Sequence, residues 1–161
     1  MPRFYIDPAN IKEGVVLLSK EESRHAVLVL RLKPGDAVDL FDGSGLSFKG
    51  IITGTRNGTV SVALNAKADN ARSLSMNVTL GVSVIKPGPM DLLIQKTSEL
   101  GAATIAPLIS DRTIVRFPKE RWAAKTVRWQ KIALESCKQC GRSQTAKIEA
   151  VQPFKLFCEA T

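Results

Sequence analysis

Apolar residues along this chain fall into two rhythms. In the first part they come in short runs divided by turn residues: Phe4–Ile6, Val15–Leu18, Ala37–Phe41, Leu46–Thr53 and Val60–Leu64 read as strands. Between them Lys33-Pro34-Gly35-Asp36, Asp42-Gly43-Ser44-Gly45 and Arg56-Asn57-Gly58-Thr59 are turn sequences, the last of hairpin type. Ser19-Lys20-Glu21-Glu22 has the spacing of a capping box and starts a helix that carries Arg24 and His25 and ends near Leu30-Arg31. Short strands at this regular spacing imply a small β-barrel.

Lys67–Ser75 is polar and aperiodic and reads as a linker, after which the rhythm changes. Val78–Ile85 is a near-continuous apolar run of the parallel-strand kind. Lys86-Pro87-Gly88-Pro89 breaks it, and Met90–Leu100 reads as a helix closed by Gly101. Ile105–Ile109 and Thr113–Phe117 are the next expected strands. Lys119–Gly141 forms the longest helix, with Trp122, Thr126, Trp129, Ala133, Ser136 and Cys140 on one face and Arg128, Lys131, Glu135, Lys138 and Arg142 on another. A short strand, Lys147–Val151, precedes an apolar tail, Phe154–Cys158, that needs a partner surface. The alternation implies βαβ units and a parallel sheet with too few strands for a doubly wound domain. Two domains follow, residues 1–70 all-β and residues 71–161 α/β.

Composition narrows the classes. At 161 residues, 44% apolar and 24% charged, with 11 Gly and 8 Pro, the chain is neither low-complexity nor fibrous. No apolar run approaches the ~18–20 residues that spanning a bilayer takes, and Met1–Asn10 lacks a basic-then-apolar signal pattern, so a cytoplasmic protein without membrane attachment is expected. The three cysteines, an odd number, argue against a disulfide framework. Cys137-Lys138-Gln139-Cys140 has CxxC spacing, but a tetrahedral metal site needs four ligands and only Cys158 and His25 remain. Two small side chains in a helix are the better reading, with no metal. GxGxxG, GxxxxGK[ST] and GxSxG are all absent, against dinucleotide binding, nucleotide hydrolysis and serine-hydrolase chemistry.

Charge then points to a polyanion. The net charge is +8, and the first 70 residues hold only +1 of it. Between Asp111 and Arg142 stand Arg112, Arg116, Lys119, Arg121, Lys125, Arg128, Lys131, Lys138 and Arg142 against Asp111, Glu120 and Glu135. That density reads as a nucleic-acid footprint. In the first domain Arg24, His25 and Arg31 are either a solvated helix face or a nucleic-acid surface shared with Arg3, Lys33 and Lys49.

Taken in order, several stretches resemble the RsmE family of ribosomal RNA uridine methyltransferases, of the knotted SPOUT superfamily. They are Arg3-Phe4-Tyr5, His25 with Val29-Leu30-Arg31, Gly35-Asp36, Phe41-Asp42-Gly43-Ser44-Gly45, Gln95-Lys96-Thr97-Ser98-Glu99-Leu100-Gly101, Pro107 with Asp111-Arg112, and the helix bearing Glu135, Gln139 and Arg142. The resemblance implies a PUA-like RNA-binding barrel followed by a trefoil-knot α/β methyltransferase domain, acting as a homodimer. It implies transfer of a methyl group from S-adenosylmethionine to N3 of a uridine in 16S rRNA of the small ribosomal subunit.

On that resemblance Arg112 and Arg142 stabilise the imide charge once the N3 proton leaves, and Lys96 and Glu99 pair on one helix. Arg3, Arg24, His25, Arg31, Lys33, Arg116 and Arg128 are the expected RNA-binding residues. Pro89 and Ala146 depart from the family pattern. The family's Gly-Pro-Glu-Gly-Gly loop and knot have no counterpart up to Thr161. The chain is therefore expected to be a fragment without turnover, its cofactor pocket lying beyond Thr161. A non-catalytic RNA-binding module and a SPOUT enzyme for another base are the alternatives.

Overall fold

The computed structural model describes residues 1–68, 76–115 and 117–159, and of Ala68 and Lys119 the backbone only. The chain divides into two compact units, Met1–Arg72 and Ser73–Thr161.

The first unit is a six-stranded sheet. Its strands are β1 (Arg3–Tyr5), β2 (Ile11–Lys12), β3 (Val15–Leu17), β4 (Ala37–Phe41), β5 (Ser47–Arg56) and β6 (Thr59–Ala68), in the order β1-β4-β5-β6-β3-β2. All pairs are antiparallel except β1 with β4. The β5–β6 turn puts Asn57 and Gly58 at φ 51° and 75°, the two positive values that let a two-residue hairpin follow the strand twist. Alternate strand residues, among them Phe4, Val16, Val38, Leu40, Ile52, Val60 and Val62, form a buried core.

Helix α1 (Lys20–Arg24) starts where its capping box demands, with the Ser19 hydroxyl accepting from Glu22 N–H at 3.1 Å. At His25 it widens into one π-type turn, in which Leu30 N–H donates to the His25 carbonyl at 3.0 Å. Arg31, at φ 55°, ends it.

In the second unit, β7 (Thr79–Ser83), α2 (Pro87–Leu100), β8 (Thr104–Ile109), α3 (Lys119–Cys140), β9 (Lys147–Ile148), β10 (Gln152–Pro153) and α4 (Phe154–Glu159) follow one another. The sheet is parallel throughout, with β8 between β7 on one side and β9 and β10 on the other. Val84, Met90, Ile94, Ile105, Trp129, Ala133 and Ile148 form the core between the sheet and α2 and α3. The Gln130 amide joins α3 to β9, donating to Ala146 O and accepting from Ile148 N–H, both at 2.9 Å. Gly101 and Gly141, at φ 99° and 78°, close α2 and α3 in the left-handed conformation.

Two sequence expectations are corrected. Pro87-Gly88-Pro89 is the first turn of α2 and not a break before it, because proline at the start of a helix loses no hydrogen bond. Thr113–Val115 is not a strand. Thr113 is buried, Ile114 is 90% exposed and Val115 leans on the core, so the two-residue alternation reflects a loop lying on the core while both sides of β8 are already paired. The tail beyond Pro153 is helical, with Phe157 packed over Gly81 of its own unit and Phe154 and Leu156 each 52% exposed. The expected linker falls mostly outside the described residues.

Gly50 marks a close approach in the barrel. A Cβ there would stand 2.6 Å from Val62 Cγ1 and 2.9 Å from the Ala63 carbonyl oxygen, beside a register shift in the β5–β6 ladder. Because backbone cannot yield as a side chain does, Gly50→Ala is expected to destabilise the first unit by about 1–3 kcal/mol, read as a lower urea midpoint.

Candidate functional site

Parallel pairing puts the carboxyl ends of β7 and β8 at one edge of the second unit, which is where an open α/β sheet takes its ligands. A cavity of about 320 Å³ lies there, lined by Ser83, Val84, Ile85, Lys86, Ser110, Arg112, Thr113, Ile114 and Val115. The Ser110–Thr113 turn builds one wall. Ser110 N–H donates to the Thr113 hydroxyl at 2.8 Å and Thr113 N–H returns a bond to the Ser110 carbonyl at 3.0 Å. This double bond pattern fixes Arg112 near the tip of the turn. Lys86 forms the opposite wall at the start of α2, the positive end of that helix's dipole, where Pro87 and Pro89 contribute no N–H. Two cations and no carboxylate line the cavity, so it suits an anion.

The other three expected catalytic residues lie elsewhere. Lys96 Nζ pairs with Glu99 Oε2 at 2.9 Å, and Gln95 Nε2 donates to Glu99 Oε1 at 2.9 Å. The Lys96 bond, then the Gln95 bond, hold the Glu99 carboxyl below the ordinary carboxylate range. Arg142 donates from Nε to Glu99 O at 2.9 Å and from Nη2 to Leu100 O at 3.0 Å. Its guanidinium therefore caps the last turn of α2, where free carbonyls and the helix dipole favour a cation. This cluster sits at the amino end of β8, the length of that strand from Arg112. Within one chain, Arg112 and Arg142 do not face a common site.

The expected RNA-binding residues also divide. Arg24 at the end of α1 and Arg31 and Lys33 after the π-type turn are exposed, and His25 is half-buried, its ring edge-on to Phe4 at 6.1 Å. Arg3 starts β1, its guanidinium 4.7 Å over the Phe41 ring. Arg128 belongs to the second unit and is ion-paired with Asp91 at 2.6 Å, which raises its pKa and ties α3 to α2. Arg116 lies outside the described residues.

A groove of about 400 Å³ between α2 and α3 is lined by Gln95, Arg128, Lys131, Ile132, Glu135, Ser136 and Gln139, mixed in charge. Cys137 is buried and donates to Gln144 O at 3.4 Å, and Cys140 is half-buried. Among the described residues no three His, Cys, Asp or Glu side chains gather as a metal site, and no helix is long and apolar enough to cross a membrane. Lys86 is the site residue that sequence reasoning missed, because it was absorbed into the presumed break before α2. Its signal was the Lys-Pro pair itself, a cation directly before a helix N-terminus.

Comparison with known proteins follows this geometry. Residues 72–161 match the family described as RNA methyltransferase domain, and residues 18–64 match the RNA methyltransferase PUA domain. The chain is 29% identical over 166 residues to the ribosomal RNA small subunit methyltransferase E of Buchnera aphidicola from Schizaphis graminum, covering all of this chain and 65% of that protein. It is 29% identical to the protein of that name from Synechocystis, covering 98% and 50% of the two chains. The crystal structure of ribosomal RNA small subunit methyltransferase E from Neisseria gonorrhoeae bound to S-adenosyl methionine superposes with a TM-score of 0.90 at 32% identity, covering 100% of this chain and 66% of that one. A Legionella pneumophila putative methyltransferase in complex with the same cofactor gives 0.88 at 30% identity, with the same coverage. The chain thus spans between half and two thirds of the length of these relatives.

The α2 cap is testable. Arg142→Ala is expected to cost about 1–2 kcal/mol of stability, from two charged hydrogen bonds and the dipole interaction. A second test concerns pH. A carboxyl whose folded-state pKa is depressed stabilises the fold above its unfolded pKa and loses that contribution as the pH falls through the folded value. Melting temperatures of Glu99→Gln should therefore fall less than wild type on acidification below about pH 4.

Proposed function

The chain belongs to the RsmE family of RNA methyltransferases, and from that premise we propose that its parent protein transfers a methyl group from S-adenosylmethionine to N3 of a uridine in 16S rRNA. The observation that carries this reading is the cation-lined cavity at the carboxyl ends of β7 and β8. A uridine N3–H is a weakly acidic imide. Once its proton passes to solvent water, the negative charge spreads over N3 and the two flanking carbonyl oxygens. A fixed cation near that charge lowers the barrier more than it stabilises neutral uridine, because the charge exists only late on the reaction path. Arg112 is the cation best suited, with Lys86 and the first turn of α2 adding to the same field.

The cofactor does not fit that cavity. S-adenosylmethionine brings a sulfonium cation, which Lys86 and Arg112 repel, and the lining offers neither a carboxylate for its ammonium and ribose groups nor an aromatic ring for its adenine. The cavity is thus read as the site of the base, and the cofactor's own pocket as supplied from outside it. Lys96, Glu99 and Arg142 are positioning residues in this reading, since their polar atoms are engaged in fastening α2 to α3. Arg24, His25, Arg31 and Lys33 serve the RNA from the first unit, Arg3 with them, and Arg128 from the second.

The parent protein acts in the cytoplasm on the small ribosomal subunit, as a homodimer. Exposed apolar side chains on the second unit, Leu92, Leu100 and Val127 among them, support such an assembly. The test uses the parent protein at the length of its relatives, with small subunits lacking the modification. Nucleoside mass spectrometry should find 3-methyluridine. Arg112→Ala should lower kcat by about 10²-fold with KM for the cofactor little changed, and Arg112→Lys should recover part of the loss. An unchanged kcat in Arg112→Ala would remove this residue from the mechanism, and a different methylated base would replace the assigned target.

A further inference from the structure

The amino-terminal half of α3 bears a further cavity, of about 390 Å³, of whose lining the reading above uses only Arg128. Phe117, Arg121, Ala124, Lys125 and Arg128 line it. Arg121, Lys125 and Arg128 are four and three residues apart, so they stand in one row along the helix, and no lining residue is acidic. Like charges in a row repel one another, a cost that an anion lying along the row reverses. Arg128 is held in place from the far side by Asp91 at 2.6 Å, with 61% of its side chain still exposed.

Phe117 sets this row apart from an ordinary solvated helix face. Its ring is packed edge-on against Trp122, with centroids 5.1 Å apart at 74°, which fixes its plane. The Lys125 ammonium sits 5.7 Å from the ring centroid, a cation–π arrangement. A rigid ring beside a row of cations matches the two parts of a nucleotide, a flat base and a phosphate. Proteins bind single-stranded nucleic acid by this combination, stacking bases on aromatic rings while cations follow the backbone.

We propose that this cavity binds one nucleotide of a single-stranded segment of the RNA substrate, with its phosphate among Arg121, Lys125 and Arg128 and its base stacked on Phe117. Lys125 is the moving part. In the proposal its ammonium turns from the ring to the phosphate, which opens the ring face to the base. The subsite rests on the reading of the chain as an RNA-modifying protein and adds to it a grip on unpaired RNA from the second unit.

The experiment measures fluorescence anisotropy of a labelled uridine-rich single strand of about a dozen nucleotides titrated with the 161-residue chain. The duplex form, uridine monophosphate and polyglutamate serve as competitors. Phe117→Leu should weaken single-strand binding about tenfold and leave duplex binding unchanged. Arg121→Ala and Lys125→Ala should each lower the salt slope by about 0.7. These two substitutions sit on the helix surface, so they keep the test decisive if Phe117→Leu disturbs packing.

Unchanged single-strand affinity and salt slope in the Arg121 and Lys125 variants overturn the subsite. If Arg31→Ala with Lys33→Ala weakens binding in the same assay, RNA binding itself survives that result. Displacement by uridine monophosphate as effective as by the single strand assigns the cavity to a free nucleotide, and displacement by polyglutamate as effective as by the single strand assigns it to an acidic protein; both overturn the proposal. Loss of methyl transfer in the parent assay, with these affinity changes present, leaves the subsite standing.

Discussion

Parallel pairing around β8 is the constraint from which the second unit follows. A parallel strand cannot be joined to its neighbour by a tight turn, so a helix must carry the chain back between β7 and β8, and α2 does so. The same sense of pairing with β9 and β10 brings every strand out at one edge. Loops leaving that edge meet there, and two of them carry Lys86 and the Ser110–Thr113 turn with Arg112. The positive cavity is thus a product of topology as much as of composition. No comparable gathering is imposed at the opposite edge, where the chain instead secures the helix ends.

That opposite edge explains the motifs most typical of the family resemblance. Gln95, Lys96 and Glu99 lie on the final turns of α2, and Arg142 reaches over from the end of α3 to the carbonyls of Glu99 and Leu100. Gly101 leaves room for this reach, since a Cβ there would stand 2.6 Å from the Arg142 guanidinium, and its positive φ closes the helix at that point. With Trp129 and Ala133 buried between the helices and the sheet, and Arg128 paired to Asp91 farther along, α2 and α3 are fastened at both ends and in the middle. A helix held this firmly presents Lys86 and the first turn of α2 in a fixed place at the edge that carries the cation-lined cavity. The link between motif and chemistry is mechanical.

Much of this was legible in residue order. Ser19 and Glu22, Asn57-Gly58, Gly101 and Gly141 announce their caps and turns because each meets a local backbone demand that few residues satisfy. The long amphipathic pattern of α3 was equally plain; of the two cysteines expected as small buried side chains, Cys137 is buried and Cys140 half-buried. Thr113–Val115 misled because alternation records burial, and a loop lying on a core alternates as a strand does. The four expected catalytic residues were grouped by chemical kind, whereas their separation depends on which end of β8 each adjoins, and that is a property of the sheet. Phe117 carried no signal of its own. Its meaning comes from Trp122 and Lys125 lying one and two helical turns away, visible only once the loop before α3 is folded against it.

In the proposed reading the carboxyl edge of the parallel sheet, with the adjoining start of α3, faces the RNA. Ultraviolet cross-linking of the chain to 16S rRNA, followed by mass spectrometry of the cross-linked peptides, tests it most directly. The account predicts nucleotide adducts within residues 110–128 in addition to any in the first unit. Adducts confined to the first unit, or clustered around residues 95–101 and Arg142, would contradict it.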